Sequence, residues 1–204
     1  MRKKKIASIL SALTAMTIAA PVFSQNDLNY IFGGDSLGLV HNASIAVYDD
    51  VSGGCWTNAE AIKQKARLTL EQSGISVYLE PLSTRYPAAA AIYIEAFGER
   101  AADSTCYGSI EVGVSDTASR MIGDTHLMGE INYFRETSAA IGYTLNEQFS
   151  RAVEENINKL AAEILSTRRN EKVESIIGEY GESLAAKPET RAELHKRLGI
   201  APPE

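Results

Sequence analysis

Histidine and cysteine are scarce in this sequence, which has three histidines and two cysteines among 204 residues. His41, His126 and His195 lie far apart along the chain. Only His126 has a carboxylate at a matching spacing, since Glu130 lies on the same face if the segment is a strand. A zinc site needs three or four protein ligands, so we expect no metal and no other cofactor.

Basic residues are outnumbered by acidic ones, 20 to 26, and four of the basic residues stand at positions 2 to 5. Without the N-terminal leader described below, 16 basic residues face 26 acidic ones, and the formal charge falls from −6 to −10. A chain this acidic lacks the basic surface that binds a phosphate backbone. The composition therefore argues against nucleic-acid binding and against attachment to anionic lipid.

The signature motifs of nucleotide-binding enzymes are also missing. The sequence has no G-x-x-x-x-G-K-[ST] phosphate loop and no G-x-G-x-x-G dinucleotide motif. It therefore gives no signal for a nucleotide-binding enzyme.

The N-terminus has the pattern of a secretory leader. Positions 2 to 5 are basic, positions 6 to 20 are apolar, and Ser24 is a small residue suited to cleavage before Gln25. We predict that residues 1–24 are a cleavable signal peptide and that the mature protein is periplasmic or secreted. No later apolar run has the ~20 residues of a spanning helix, so we expect no stable membrane insertion after cleavage.

The two cysteines, Cys55 and Cys106, both lie beyond the leader. An even pair of thiols in an oxidising, exported compartment most simply forms a disulfide. We therefore predict a Cys55–Cys106 disulfide that joins the loop before the first helix to a strand.

An alternative role for Cys55 follows from its neighbours. Gly53-Gly54-Cys55-Trp56 is expected to precede a helix, where backbone N–H groups lower the pKa of a thiol. Cys-Trp after glycine resembles a fragment of the nucleophile signature of papain-type cysteine proteases. The resemblance implies an envelope cysteine hydrolase with Cys55 as the nucleophile and His126 as its base.

Hydrophobic periodicity predicts the secondary structure. Alternation predicts five strands: Ser44–Asp49, Ile75–Glu80, Ala91–Gly98, Cys106–Ser115 and His126–Thr137. Helical spacing predicts one helix over 57–73 and a longer one over 144–164. Thr57 with Glu60, and Thr144 with Glu147, match the capping-box pattern at the two helix starts.

The order of these elements, β-α-β-β-β-β-α, predicts an α+β fold. We expect a two-layer sandwich with a mainly antiparallel sheet of about five strands and two helices on one face. Residues 25–42 are expected to form an irregular lead-in, residues 43–167 a single α+β domain, and residues 168–204 a charged helical tail in which Gly199 ends a helix. The tail either packs on the domain or binds a partner.

These features favour a non-enzymatic exported protein, either a protein–protein interaction module or an envelope accessory module. Its expected partner is another envelope or secreted protein. The candidate interface is a set of aromatic residues on the predicted strands, since aromatic side chains are enriched at interfaces: Tyr48, Tyr78, Tyr93, Phe97, Tyr133 and Phe134. A pocket for a small ligand beside the Gly53-Gly54 loop is a further possibility.

Overall fold

A computed structural model of the chain describes residues 33–82, 87, 89–122 and 124–199. The predicted signal peptide, residues 1–24, and residues 25–32 of the predicted lead-in lie outside the described residues. The remainder of the lead-in is more regular than expected, because Gly33–Leu39 forms a short 3-10 helix. Leu37 and Val40 are fully buried, so this segment is part of the core.

The five strands form one sheet in the order β2-β1-β3-β4-β5. The strands are β1 (Asn42–Val51), β2 (Ser76–Tyr78), β3 (Ala89–Arg100), β4 (Cys106–Ile122) and β5 (Thr125–Gly142). Strand β1 runs parallel to β2 and β3, whereas β3–β4 and β4–β5, the longest ladder, are antiparallel. The predicted five-stranded α+β sandwich is confirmed.

Two helices cover one face of the sheet, as the sequence predicts. Helix α1 (Ala59–Gln72) and helix α2 (Asn146–Thr167) each bury an apolar stripe at helical spacing. Phe149 of α2 is fully buried and meets Trp56 edge to face, with ring centroids 5.7 Å apart. Burial of a side chain of this size contributes about 1.5–3 kcal/mol, so the stripe of α2 is a principal source of stability.

The predicted capping boxes at these two helices are wrong. The N-caps are Asn58 and Leu145, and neither makes a side-chain capping bond. The Thr57 backbone N–H instead donates to Asn146 Oδ1 over 2.8 Å, and Asn146 Nδ2 donates to Thr57 Oγ1 over 3.0 Å. This reciprocal pair joins the starts of α1 and α2, so long-range contacts replace the local caps.

The predicted cysteine pair is joined in the structure. Cys55 and Cys106 form a disulfide with their Cα atoms 5.7 Å apart, and both side chains are fully buried. Gly53 and Gly54 both have positive φ, which lets the chain turn sharply between β1 and Cys55. The disulfide therefore holds this turn against the first residue of β4.

The β4–β5 hairpin is longer than the sequence predicts. The loop expected around 116–124 is wrong, because β4 continues to Ile122, which pairs with Thr125 at the start of β5. Strand β5 likewise continues beyond the predicted end at Thr137, as far as Gly142.

The C-terminal tail forms α3 (Glu171–Ala185) and α4 (Arg191–Leu198), and Gly199 ends α4 in the left-handed conformation as predicted. Val173 is fully buried against Gly38. Asn42 Nδ2 donates to the carbonyl oxygens of Leu184 and Ala186 over 2.9 and 3.3 Å. In its described part the tail thus packs on the domain.

None of the helices in the described ranges combines the length and apolar composition needed to cross a membrane.

Candidate interaction surface

The face of the sheet opposite α1 and α2 is open to solvent in the described part of the chain. Residues paired across neighbouring strands share a face, so the register lines up one row across four strands: Tyr48, Glu95, Glu111 and Thr137. Tyr48 is 57% exposed, whereas Glu111 is only 9% exposed. This open face therefore combines accessible aromatic rings with a buried charge.

The Glu111 carboxylate is held by side chains from three positions on β3 and β5. Tyr93 donates its hydroxyl to Oε1 over 3.1 Å, Thr137 donates to Oε2 over 2.9 Å, and Arg135 Nε lies 2.9 Å from Oε1. Burial raises the pKa of Glu111, but the hydrogen bonds from Arg135, Thr137 and Tyr93 and the charge of Arg135 outweigh it. The net pKa of Glu111 lies below its ordinary value of 4.5.

A polar depression of about 350 Å³ lies beside this cluster. Small residues, including Ala46 and Ala91, leave space for it between the larger side chains of Tyr48, Glu95 and Arg135, which also line it. The Tyr93 ring lies directly over Gly113, where an added Cβ would meet the ring at 2.2 Å. The missing side chain at Gly113 therefore allows Tyr93 to reach Glu111.

We expect the Glu111→Gln substitution to lower the free energy of unfolding by about 1–3 kcal/mol at pH 7, because it weakens three interactions of a buried group. The folded-state pKa of Glu111 is depressed, so its stabilisation is present above the unfolded-state pKa. That stabilisation is lost as the pH falls below about 4.5 through the folded-state pKa.

Urea denaturation of both proteins at pH 7 and at about pH 3 measures this dependence. The difference between wild type and Glu111→Gln should shrink as the pH falls through the lowered folded-state pKa of Glu111, because the protonated carboxyl group resembles the amide of glutamine. A difference that stays constant with pH would show that the charge of Glu111 contributes nothing.

Three of the predicted aromatic residues, Tyr48, Tyr93 and Phe97, lie on the open face, where Phe97 is 45% exposed. Tyr78 pairs with Ser44 and so lies on the same face, but it is on the edge strand β2 and is half-buried. Its hydroxyl lies 3.5 Å from Asn42 Oδ1, close to where the C-terminal tail docks. The open face therefore presents a smaller aromatic group than the sequence suggests.

The other two predicted interface residues pack inward. A register shift in the β4–β5 ladder at Val114/Ser115 places an extra residue, Tyr133, in β5. Phe134 then pairs with Val114 and is 6% exposed in the core, and Tyr133 packs half-buried against that core. Phe134 therefore does not lie on the surface of the folded domain, and its placement in the predicted patch is a correction.

The two residues of the hydrolase hypothesis are not brought together. Cys55 is bonded to Cys106, which pairs with Gly142 at one end of the hairpin, whereas His126 pairs with Met121 at the other end. The strand between Gly142 and His126 spans on the order of 50 Å at about 3.3 Å per residue. Within the residues that the structure describes, no three His, Cys, Asp or Glu side chains are grouped so that they could hold a metal ion.

The hairpin extends well beyond the rest of the sheet. The β3–β4 ladder ends at the Ala91–Ser115 pair, so residues 116–122 of β4 and 125–131 of β5 pair only with each other. We call these two segments the arm. Four large apolar side chains of the arm are 44–59% exposed: Met121, Ile122, Leu127 and Ile131. A two-stranded ribbon is at best marginally stable alone, so such a surface is typical of a contact region.

Neither the arm nor the Glu111 cluster is predicted from the sequence. The alternation of Leu127, Gly129 and Ile131 indicates a strand, but nothing local to the sequence shows that β4 continues opposite to it. The adjacent apolar residues Met121 and Ile122, which lie between the two predicted strands, are the one signal that favours the extended hairpin.

Comparisons with known proteins give no family assignment. No family model and no curated protein matches the chain. Among solved structures, the chain is similar to a PelC dodecamer from Paraburkholderia phytofirmans, with 13% sequence identity and a TM-score of 0.34. The match covers 60% of this chain and 88% of that chain. A similarity this low supports no conclusion about the function of this protein.

Proposed function

We propose that this protein is an exported, non-enzymatic interaction module that binds another envelope or secreted protein through the arm. The observation that carries this proposal is the exposure of four large apolar side chains on a ribbon that pairs with no other described strand. A partner that covered their exposed portions would gain about 3–6 kcal/mol from apolar burial.

The polar depression lies where the arm joins the sheet. In the proposed interaction its polar side chains give the specificity that apolar contacts lack. Ser115 and Asn132, which line it, form the pair at which the arm leaves the sheet. Glu95 offers an acceptor and Arg135 a donor beside the exposed ring of Tyr48. An apolar contact flanked by polar groups is the usual composition of a specific protein interface.

Site-specific photo-crosslinking in the native host tests this proposal. A photoreactive amino acid at Leu127 or Ile131 should give one discrete adduct with a second protein, and excess purified wild-type protein should compete it away. Leu68 on α1 is a matched control because it is 55% exposed but lies far from the arm on the helical layer. No adduct from the arm, equal adducts from Leu68, or adducts with lipid alone would each contradict the proposal.

A further inference from the structure

A second surface lies on the opposite side of β5, between the outer edge of that strand and helix α2. This groove has a volume of about 490 Å³. Its lining comes from one segment of each element: Ser138, Ala139, Ala140 and Ile141 of β5, and Gln148, Arg151, Ala152 and Glu155 of α2. At one end Gln148 Nε2 donates to the Ile141 carbonyl over 2.9 Å, and at the other Lys159 pairs with Glu136.

The edge of β5 that borders the groove is only lightly protected against strand addition, by the hydrogen bond from Gln148 to the Ile141 carbonyl. Strand β5 is the last strand of the sheet, and residues 137–142 contain no charge and no proline. Natural edge strands are commonly blocked by lysine, proline or a bulge. Ile141 is 67% exposed and Ala139 is also exposed, so this segment is free to pair with a further strand.

The side of α2 that borders the groove carries one charge of each sign. Arg151 and Glu155 are exposed, lie one helical turn apart, and border the groove together with the small residue Ala152. Arg151 also forms an exposed ion pair with Glu147 of its own helix over 3.3 Å. If two copies of α2 pair antiparallel about a two-fold axis midway between these residues, Arg151 of each copy lies opposite Glu155 of the other. Isologous contacts require this kind of self-complementary pattern.

A single two-fold axis can relate both the two β5 strands and the two α2 helices of a dimer. Helix α2 runs back along β5, from the Gln148–Ile141 contact to the Lys159–Glu136 contact. A strand rises about 3.3 Å per residue and a helix about 1.5 Å per residue. Residues 136–141 of β5 and residues 148–159 of α2 therefore both span roughly 16 Å. Ala139 therefore lies level with Ala152–Val153, midway between Arg151 and Glu155.

We infer that the groove is the contact surface for a second copy of this chain. The two β5 strands pair antiparallel about an axis at Ala139, and Arg151 of each protomer pairs with Glu155 of the other, which joins two five-stranded sheets into one. The small residues at Ala139, Ala140 and Ala152 let the two backbones approach closely. This dimer uses a different surface from the arm and does not depend on the proposed function.

A charge-reversal cycle tests the dimer. Sedimentation equilibrium of the mature wild-type protein should show a dimer at about 100 µM. The Arg151→Glu and Glu155→Arg substitutions each place like charges across the axis and should weaken dimerisation about tenfold or more, whereas the double variant should restore it to within about threefold of wild type. Lys172→Glu on α3 is a matched control with the same charge change as Arg151→Glu and should leave the dimer unchanged.

A disulfide trap tests the position of the axis. Residues facing each other across an antiparallel pair have Cα atoms about 4.5–5.5 Å apart, which a disulfide can bridge. Because both native cysteines are already joined, Ala139→Cys should give a covalent dimer under mild oxidation, and Lys172→Cys should not. A wild-type monomer at this concentration, failure of the double reversal to restore dimerisation, or equal cross-linking from Lys172→Cys would overturn the inference.

Discussion

Replacing Cys55 and Cys106 together by alanine should lower the free energy of unfolding by about 4 kcal/mol. The disulfide closes a loop with a sequence separation of 51 residues. Loss of the constraint that such a loop places on the unfolded chain costs on the order of 4 kcal/mol. Alanine is preferred to serine because both positions are fully buried and a hydroxyl there would need a partner.

Guanidinium denaturation followed by Trp56 fluorescence measures this loss, because Trp56 adjoins the disulfide and is 3% exposed in the folded state. Wild-type protein denatured under reducing conditions is the matched control and should lose a similar amount of stability. A loss below about 1 kcal/mol in the double variant would show that the disulfide contributes little to the fold.

The second large effect is expected at Gly108, where β3 and β4 approach closely beneath Leu145. Gly108 pairs with Gly98, and an added Cβ would lie 2.4 Å from the carbonyl oxygen of Phe97 and 3.0 Å from Leu145 Cδ1. The nearest atom belongs to the backbone and cannot rotate away, so the strands must separate. Gly108→Ala should therefore lower the free energy of unfolding by about 3 kcal/mol.

Gly129→Ala is the control for Gly108→Ala, because a Cβ at Gly129 meets nothing within 4 Å. Its free energy of unfolding should stay within about 0.5 kcal/mol of wild type. Thermal or urea unfolding of the two variants under the same conditions compares their free energies of unfolding. Equal stability of the two would mean that the close approach of β3 and β4 at Gly108 is not a feature of the folded protein.

The layers of this fold are predictable from sequence because each depends on a short-range pattern. The stripe of α2 repeats every three or four residues, and the strands alternate, so the side that each element buries follows directly. Tyr48, Tyr93 and Phe97 lie on the open face for the same reason. Burial alternates from Ala43 to Ala46 in β1 and from Ala90 to Phe97 in β3.

The features that the sequence did not predict depend on register between distant segments. One extra residue in β5 exchanges the faces of all residues beyond it, which is why Phe134 lies in the core. Glu111 meets Tyr93 and Thr137 only because three strands pair in one register. Likewise, Asn146 replaces the expected cap at Thr57 from a position far along the chain.

Replacing the arm separates its proposed role in binding from any role in folding. Residues 117–130 are replaced by an Asn-Gly turn that joins Asp116 to Ile131, which are paired in the native hairpin. The shortened protein should melt within about 2 °C of wild type, since the core is untouched. When added in excess, the shortened protein should not reduce the yield of the photo-crosslinked adduct that forms from position Leu127. A large fall in melting temperature, or full competition by the shortened protein, would contradict the account.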